Sequence, residues 1–186
     1  MNKSKLSRLK ALEAEMAGTP LPLGESNLVF GEGAADCRVM FIGEAPGRSE
    51  DLMKRPFVGR AGKLLDRLIQ EINWKREEVY ITNIVKRRPP NNRAPQTNEL
   101  EAYIPYLARQ IEIINPKIIV PLGRFAMNYF LPEAKISHDH GRVFTIKSRI
   151  IFPVYHPAAA LRSTKMFATL RKDIKKLPKV ALGKMN

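Results

Sequence analysis

Short apolar runs alternate with segments of helical periodicity along most of the chain, and this alternation constrains the fold more than any other feature. Residues 38–42, 79–82 and 117–122 form apolar runs that are too short for helices, so we interpret them as buried strands. Several segments that follow these runs repeat leucine and isoleucine every three or four residues, which is typical of an amphipathic helix. Strands that alternate with helices predict a three-layer α/β/α sandwich with a central, mostly parallel, four-stranded sheet.

The two ends of the chain extend this pattern. Residues 4–17 have helical spacing and precede a loop punctuated by proline and glycine, so we expect residues 1–25 to form an N-terminal helix and loop. Residues 143–154 predict a hairpin of further strands. The length of 186 residues suits one ordinary domain. We therefore expect a single domain over residues 1–186, with a flexible tail at residues 178–186.

The chain is strongly basic. Its 32 lysines and arginines against 18 acidic residues give a net charge of +14, which suits a polyanionic partner. The excess is concentrated in residues 162–186, with eight basic residues and one acidic residue, and in residues 84–95, with four basic residues and no acidic one. The charge by itself leaves nucleic acid, an anionic membrane surface and a merely solvated face as open interpretations.

Composition argues against two classes of protein. No apolar run approaches the roughly 20 residues that a membrane-spanning helix needs, so we expect no membrane association. The single cysteine, Cys37, permits no intramolecular disulfide and cannot by itself hold a four-cysteine metal or iron–sulfur site. A chain of this length can bury enough surface to be stable without such cross-links.

Polar residues collect where the predicted strands end, which is where open α/β sheets bind their ligands. Three segments carry them: GEAPG at 43–47 with its continuation to residue 62, TNIVK at 82–86 followed by PPNNR at 89–93, and HPAAALR at 156–162. Neither phosphate-loop pattern, GxxxxGK[ST] or GxGxxG, is present. Each segment alone is a weak signal, but their order and placement together are specific.

Together the three segments resemble the uracil-DNA glycosylase superfamily, in particular its thermostable family-four branch, over residues 26–177. The resemblance implies a DNA repair enzyme that flips uracil out of DNA and hydrolyses the N-glycosidic bond, which leaves an abasic site. It also implies a monomer whose partner is uracil-containing DNA, single- or double-stranded. We expect such a protein to be intracellular and DNA-associated, in the cytoplasm or nucleoid of a prokaryote.

The resemblance assigns roles in binding the base. Phe57 stacks on uracil, and the carboxamide of Asn83 donates to O4 and accepts from N3–H, a pattern that cytosine reverses. His156 donates to O2 as negative charge grows on the departing base. Gly43 and Ala45 complete the uracil-binding residues, because backbone N–H groups after Gly43 can share that charge.

The remaining roles concern water and DNA. Glu44 is assigned to positioning water or its loop. Glu50 is assigned to lining the pocket near uracil C5, where a bulky side chain would exclude the methyl group of thymine. For both carboxylates the alternative role is capping of the loop. Leu161 is expected to fill the vacated stack. The expected backbone contacts come from Lys86, Arg88, Asn92, Arg93 and Arg162.

One family feature is missing. Most family-four enzymes hold an iron–sulfur cluster with four cysteines, and alignment on the shared motifs places Met16, Thr19, Arg87 and Tyr103 at those positions. We therefore expect no metal and no cofactor, and we expect Tyr103 and Met16 to fill the vacated volume.

Two other functions stay open at this stage. The first is a non-catalytic nucleic-acid-binding protein with a relict pocket, which the loss of the cluster would allow. The second is a glycosylase with shifted specificity for hypoxanthine or xanthine, since small changes in a pocket can redirect the choice of base.

Overall fold

A central sheet organises the chain. The structure, a computed structural model, describes residues 4–184. Within these residues six strands form one sheet in the order β1-β3-β2-β4-β6-β5. The strands are β1 (Glu32–Gly33), β2 (Val39–Gly43), β3 (Tyr80–Asn83), β4 (Ile118–Pro121), β5 (Phe144–Ile146) and β6 (Arg149–Ile151).

The sheet is mostly parallel, as predicted, but it has six strands and not four. The central strands β3, β2, β4 and β6 pair in parallel, whereas β1 and β5 add antiparallel edges. The prediction missed β1 because two residues carry no apolar pattern. The hairpin of β5 and β6 turns at Lys147, which has a positive φ of 54°. All of β2, β3 and β4 is buried, as expected for parallel strands covered on both faces.

Helices cover both faces of the sheet and complete the three predicted layers. One face packs against α3, α8 and α9, and the other packs against α1, α4 and α5. No helix among residues 4–184 is both long enough and apolar enough to cross a membrane. The helices are α1 (Lys5–Gly18), α2 (Arg48–Met53), α3 (Arg60–Gln70), α4 (Thr97–Ile114), α5 (Gly123–Phe130), α6 (Ile136–Asp139), α7 (Pro157–Ala160), α8 (Thr164–Ile174) and α9 (Leu177–Ala181).

Local sequence explains where several helices begin. Ser4 and Ser163 precede α1 and α8, and each hydroxyl accepts a hydrogen bond from a backbone N–H three residues later. At the start of α4, the Gln96 N–H donates to the Glu99 carboxylate at 2.8 Å. These contacts satisfy N–H groups that the first turn of a helix leaves without partners.

The C-terminal segment is more ordered than the sequence indicated. We predicted a flexible tail from residue 178, but residues 178–181 belong to α9, where Val180 and Ala181 are buried against the sheet. The apolar residues of this short segment recur on one side of the helix, and the run of lysines around them hid that pattern. Residues 185 and 186 of the predicted tail lie outside the described residues.

The N-terminal layer is filled by the residues that stand where the resemblance places cysteines. Met16 and Tyr103 are completely buried in one hydrophobic cluster between α1 and α4, as expected. The Tyr103 hydroxyl donates to the Pro22 carbonyl at 2.6 Å, and the Arg87 guanidinium donates to the Ser26 carbonyl. Thr19 donates to the Glu15 carbonyl at the end of α1. Packing and hydrogen bonds thus fasten the loop after α1 to the rest of the fold.

We predict that Tyr103→Phe destabilises the protein, because it leaves the Pro22 carbonyl without its donor. The expected loss is about 1–3 kcal/mol of unfolding free energy, measured by urea titration. Tyr106→Phe on the same helix is the matched control: its hydroxyl is 3.4 Å from Thr19 Oγ1 and only partly buried, so its effect should stay within about 0.5 kcal/mol. Equal losses in the two variants would contradict the fastening role.

Candidate active site

A cavity of about 310 Å³ lies at the carboxyl ends of the parallel strands. It forms where the loops after β2 and β3 meet the segment after β6, as expected for an open α/β sheet. Other residues of the three motif segments, to which sequence analysis assigned no role, also line it: Pro46, Gly47, Ala61, Pro89 and Ala158. The predicted site residues that line it are Glu44, Ala45, Glu50, Phe57, Asn83, Asn92, Arg93 and His156.

Asn83 ends strand β3 and presents an unpaired acceptor. Its side chain is almost fully buried, and its Oδ1 has no hydrogen-bond partner among residues 4–184. An unsatisfied buried acceptor costs about 1–3 kcal/mol, so such atoms usually have a partner. Because Asn83 also lines the cavity, the structure provides a site for a ligand that carries an N–H or O–H donor.

His156 follows β6 and faces the cavity as a neutral ring. Its Nδ1 accepts a hydrogen bond from the Ala158 N–H at 3.0 Å, so the proton of the neutral imidazole resides on Nε2. Burial lowers the pKa of His156 to about 4, and the Glu50 carboxylate only partly opposes this shift. The ring therefore offers a single Nε2–H donor near neutral pH, which sequence analysis could not settle.

Close backbone approaches hold the His156 ring in place. Gly123 opens α5 with a positive φ of 85°, and a Cβ atom there would lie 2.8 Å from the His156 Cβ. Its N–H donates to the Val154 carbonyl at 2.8 Å, which joins the start of α5 to the segment that carries His156. A side chain at position 123 would therefore displace the histidine.

Phe57 supplies the aromatic wall of the cavity from a strained backbone. Its φ is 50°, a conformation that is rare for bulky residues and that is found preferentially at functional sites. The ring centroid lies 5.7 Å from that of His156, with 35° between the ring planes. The Phe57 backbone packs so closely on Gly62 that a Cβ there would lie 1.9 Å from the Phe57 carbonyl oxygen.

Arg76 clamps the Phe57 loop, and no motif in the sequence indicated this residue. Its guanidinium donates to the carbonyls of Pro56 and Phe57 at 2.5 and 3.3 Å. It also forms ion pairs with Glu32 at 2.7 Å and Asp66 at 2.5 Å. Arg76 is mostly buried, so these contacts connect the site to β1 and α3 with little competition from water.

Glu50 organises the loop that surrounds the cavity. One carboxylate oxygen accepts from the N–H groups of Val58 and Gly59 at 2.9 and 2.7 Å, and the other accepts from the Gly47 N–H at 3.2 Å. This geometry favours the alternative of loop capping over a catalytic role for Glu50. The carboxylate of Glu44, by contrast, is half-buried and lines the cavity. Burial raises the pKa of Glu44, and the charge of Arg124 opposes this shift.

The structure corrects the prediction for Lys86. This side chain is completely buried, and its Nζ donates to Thr82 Oγ1, the Asn83 carbonyl and Gln110 Oε1 at 2.6–2.7 Å. It therefore cannot contact a DNA backbone. The prediction was wrong because the residue lies in a basic run, whereas its side chain turns inward between the sheet and α4.

The other predicted DNA contacts lie at the surface or at the cavity rim. Arg88 donates to Asn92 Oδ1 at 2.7 Å, and Arg93 binds both oxygens of the Glu99 carboxylate at 2.6–2.8 Å. Leu161 and Arg162 are exposed just after α7, whose first residue follows His156. Arg162 forms no ion pair within the described part of the chain, so its charge is available to a partner.

The fold and the site together define a class of protein, an α/β/α sandwich with a small polar and aromatic pocket at its strand ends. A sequence model described as the uracil DNA glycosylase superfamily matches residues 30–177. The chain belongs to this superfamily.

Relatives with assigned names agree with this family. The chain is 47% identical to a type-4 uracil-DNA glycosylase of Sulfurisphaera tokodaii, over 84% of this chain and 76% of the relative. It is 44% identical to the type-4 enzyme of Thermotoga maritima, over 84% of each chain. It is 38% identical to the type-4 enzyme of Pyrobaculum aerophilum, over 91% of each chain.

We predict that His156 makes the stability of the protein depend on pH. Because its pKa in the folded state, about 4, lies below the ordinary value of 6.5, the unfolded chain binds the proton more readily in this window. The contribution of His156 is present above pH 6.5 and is lost as the pH falls toward 4. Urea titrations at several pH values should show a smaller acid-induced loss in His156→Gln than in the wild type.

The matched control for this measurement is His138→Gln, since His138 is an exposed histidine on α6. Its acid-induced loss of stability should equal that of the wild type. If His156→Gln lost as much stability on acidification as the wild type, the burial of a neutral His156 would be disproved.

Proposed function

We propose that the protein is a uracil-DNA glycosylase of base excision repair, which hydrolyses the bond between uracil and deoxyribose and leaves an abasic site. The observation that carries this proposal is the unpaired Asn83 Oδ1, which shares one cavity with the Phe57 ring and His156. Membership of the superfamily and the names of the relatives support it. The substrate is uracil-containing DNA, single- or double-stranded. The enzyme acts as a monomer on the DNA of the cytoplasm or nucleoid.

Base recognition begins with extrusion of the nucleotide, since the reacting bond lies out of reach inside a duplex. Uracil stacks on Phe57 and donates its N3–H to Asn83 Oδ1, while the Asn83 amide donates to O4. Cytosine presents an acceptor at N3 and a donor at its amino group, so it leaves the same groups mismatched. The pairing of Asn83 Oδ1 by the substrate would satisfy the acceptor that the protein leaves buried.

Departure of the base builds negative charge on uracil. The N1–C1′ bond breaks with its electron pair on N1, and the charge spreads to O2, toward which His156 Nε2–H donates. Because the ring is neutral and its orientation is fixed by the Ala158 N–H, little reorganisation is needed as the charge develops. Backbone N–H groups at residues 44 and 45 share the charge.

Water then completes the reaction. The sugar cation that remains after bond cleavage accepts the water oxygen at C1′, and the proton that this water releases neutralises the uracil anion. Glu44, half-buried at the cavity, orients this water; an electrophile as reactive as the sugar cation does not require a strong base. Glu50 contributes by holding the surrounding loop.

DNA is held outside the cavity by charge and by insertion. Leu161 is 41% exposed at the end of α7, where an apolar side chain can occupy the space left by the flipped base. Arg162 and the basic residues of α8 bind phosphates, and the net charge of +14 draws the polyanion to this face.

We predict that His156→Ala lowers the rate of uracil release in single-turnover assays by about 10²–10³, the usual effect of losing one donor to a developing anion. DNA affinity should hardly change, because the lost contact matters mainly in the transition state. His138→Ala on exposed α6 is the control and should retain the wild-type rate.

A wild-type protein that binds DNA but releases no uracil would instead support the relict-pocket alternative, and a base panel with hypoxanthine and xanthine would reveal shifted specificity.

Asn83→Asp tests base identity. A carboxylate repels uracil O4 but accepts from the cytosine amino group, so uracil release should fall and cytosine should become a less disfavoured substrate. The measurement is single-turnover excision from matched uracil and cytosine oligonucleotides, with Asn73→Asp as control, since Asn73 is exposed in the turn after α3. Full uracil activity in Asn83→Asp would remove Asn83 from base recognition.

We predict that Arg162→Ala weakens binding to uracil-containing and uracil-free DNA alike. It should reduce the slope of log K against log salt by about 0.7–0.9, the effect of one phosphate contact. Arg67→Ala is the control, since Arg67 is exposed on α3 and pairs with Glu71. An unchanged slope in Arg162→Ala would show that Arg162 does not contact a phosphate.

A further inference from the structure

A lysine without an acidic partner lies directly behind the base-recognition residue. Lys86 is 0% exposed, and within residues 4–184 it forms no ion pair. Its Nζ donates instead to three neutral oxygens: Thr82 Oγ1 at 2.6 Å, Gln110 Oε1 at 2.6 Å and the Asn83 carbonyl at 2.7 Å. Burying a lysine in this way is costly, and the core packing alone does not require it.

The neighbours of Lys86 are arranged to act as acceptors. The Gln110 amide nitrogen donates to the Phe30 carbonyl at 3.1 Å and to the Tyr80 hydroxyl at 3.0 Å, so its oxygen faces Nζ. The Thr82 hydroxyl donates to the same Phe30 carbonyl at 2.7 Å, which leaves its lone pairs for Nζ. The network thus holds Nζ of Lys86 within hydrogen-bond distance of the Asn83 carbonyl.

The side chain of Asn83, unlike its backbone carbonyl, is not held by hydrogen bonds of this kind. Its Oδ1 is unpaired, and no protein group in the described part of the chain forms a hydrogen bond with its carboxamide. The direction of the carboxamide therefore depends on its backbone, which is the last residue of β3 and pairs with Gly43. Lys86 Nζ donates to the Asn83 carbonyl at 2.7 Å, whereas the Thr82 hydroxyl lies 3.5 Å from the same oxygen and donates mainly to Phe30.

We propose that Lys86 is a positioning residue for base recognition: its Nζ, held by Thr82 and Gln110, fixes the Asn83 carbonyl and thereby the carboxamide that reads the base. This role rests on the proposed glycosylase function. It assigns to a buried side chain, which cannot touch DNA, an effect on the excision of uracil.

The test is a double-mutant cycle with single-turnover uracil release from a single-stranded oligonucleotide. We expect Lys86→Met to lower the rate about tenfold, in line with the loss of one buried hydrogen bond, with little change in DNA affinity. In the Asn83→Ala background, Lys86→Met should have no further effect, because the group that it positions is gone. A purely structural role would lower the rate by the same factor in both backgrounds.

Two further variants keep the test decisive. Gln110→Met removes one of the acceptors that hold Nζ, and it replaces Lys86→Met in the double-mutant cycle if Lys86→Met does not fold. We expect it to lower the rate of uracil release about threefold, and this loss should also vanish in the Asn83→Ala background. Tyr106→Phe is the control, since it removes a hydroxyl from the same helix as Gln110 but one that lies near Thr19 Oγ1, at 3.4 Å, and takes no part in the Lys86 network; it should keep the wild-type rate.

The outcomes separate the two proposals. A wild-type enzyme that releases uracil, with losses in Lys86→Met or Gln110→Met that depend on Asn83, supports the positioning role. Unchanged rates, or equal losses with and without Asn83, overturn the positioning role and leave the glycosylase function intact. A folded wild-type protein that releases no uracil overturns the glycosylase function and the positioning role with it.

Discussion

The site depends on a close approach of three segments at Gly43. Strands β2 and β3 pair in register at Gly43 and Asn83, and a Cβ atom on Gly43 would lie 2.3 Å from Asn83 Oδ1 and 2.6 Å from the Phe57 ring. Any side chain at this position would displace the Asn83 carboxamide, the Phe57 ring, or both. The His156 ring, 5.7 Å from Phe57, completes the arrangement. The absence of a side chain at Gly43 thus allows the Asn83 carboxamide and the Phe57 ring, which come from separate segments, to meet.

Charged and neutral groups have separate tasks around this point. Glu50 and Arg76 use their charges on backbone groups of the loops, through hydrogen bonds of 2.5–3.3 Å. The groups that would face the base, Asn83, Phe57 and His156, are neutral, and burial keeps His156 so by lowering its pKa. A neutral donor can respond to charge that appears only in the transition state. The basic exposed face meanwhile attracts DNA over a longer range.

The N-terminal layer shows how packing can hold two loops together. Met16 and Tyr103 are buried in the same cluster, and Tyr103 and Arg87 bind the carbonyls of the loop that precedes β1. These are positions at which the family-four resemblance places cysteines. Buried apolar area and hydrogen bonds to backbone carbonyls supply the connection here, and they do so without changing the residues at the carboxyl ends of the strands.

The sequence by itself determined the parallel sheet and most of its helices, because apolar periodicity is a local feature. It pointed to Phe57, Asn83 and His156 through the resemblance of three motifs to a known superfamily, and the structure places these residues around one cavity. Only the tertiary structure decided the partners of the charged side chains. Lys86 lies in a basic run, yet it is buried because Gln110, 24 residues away on α4, supplies an acceptor. Arg76 likewise meets the carbonyls of Pro56 and Phe57 in a segment that precedes α3. Spacing along a chain reveals which residues share a face, but the donor or acceptor that a side chain meets depends on how remote segments pack.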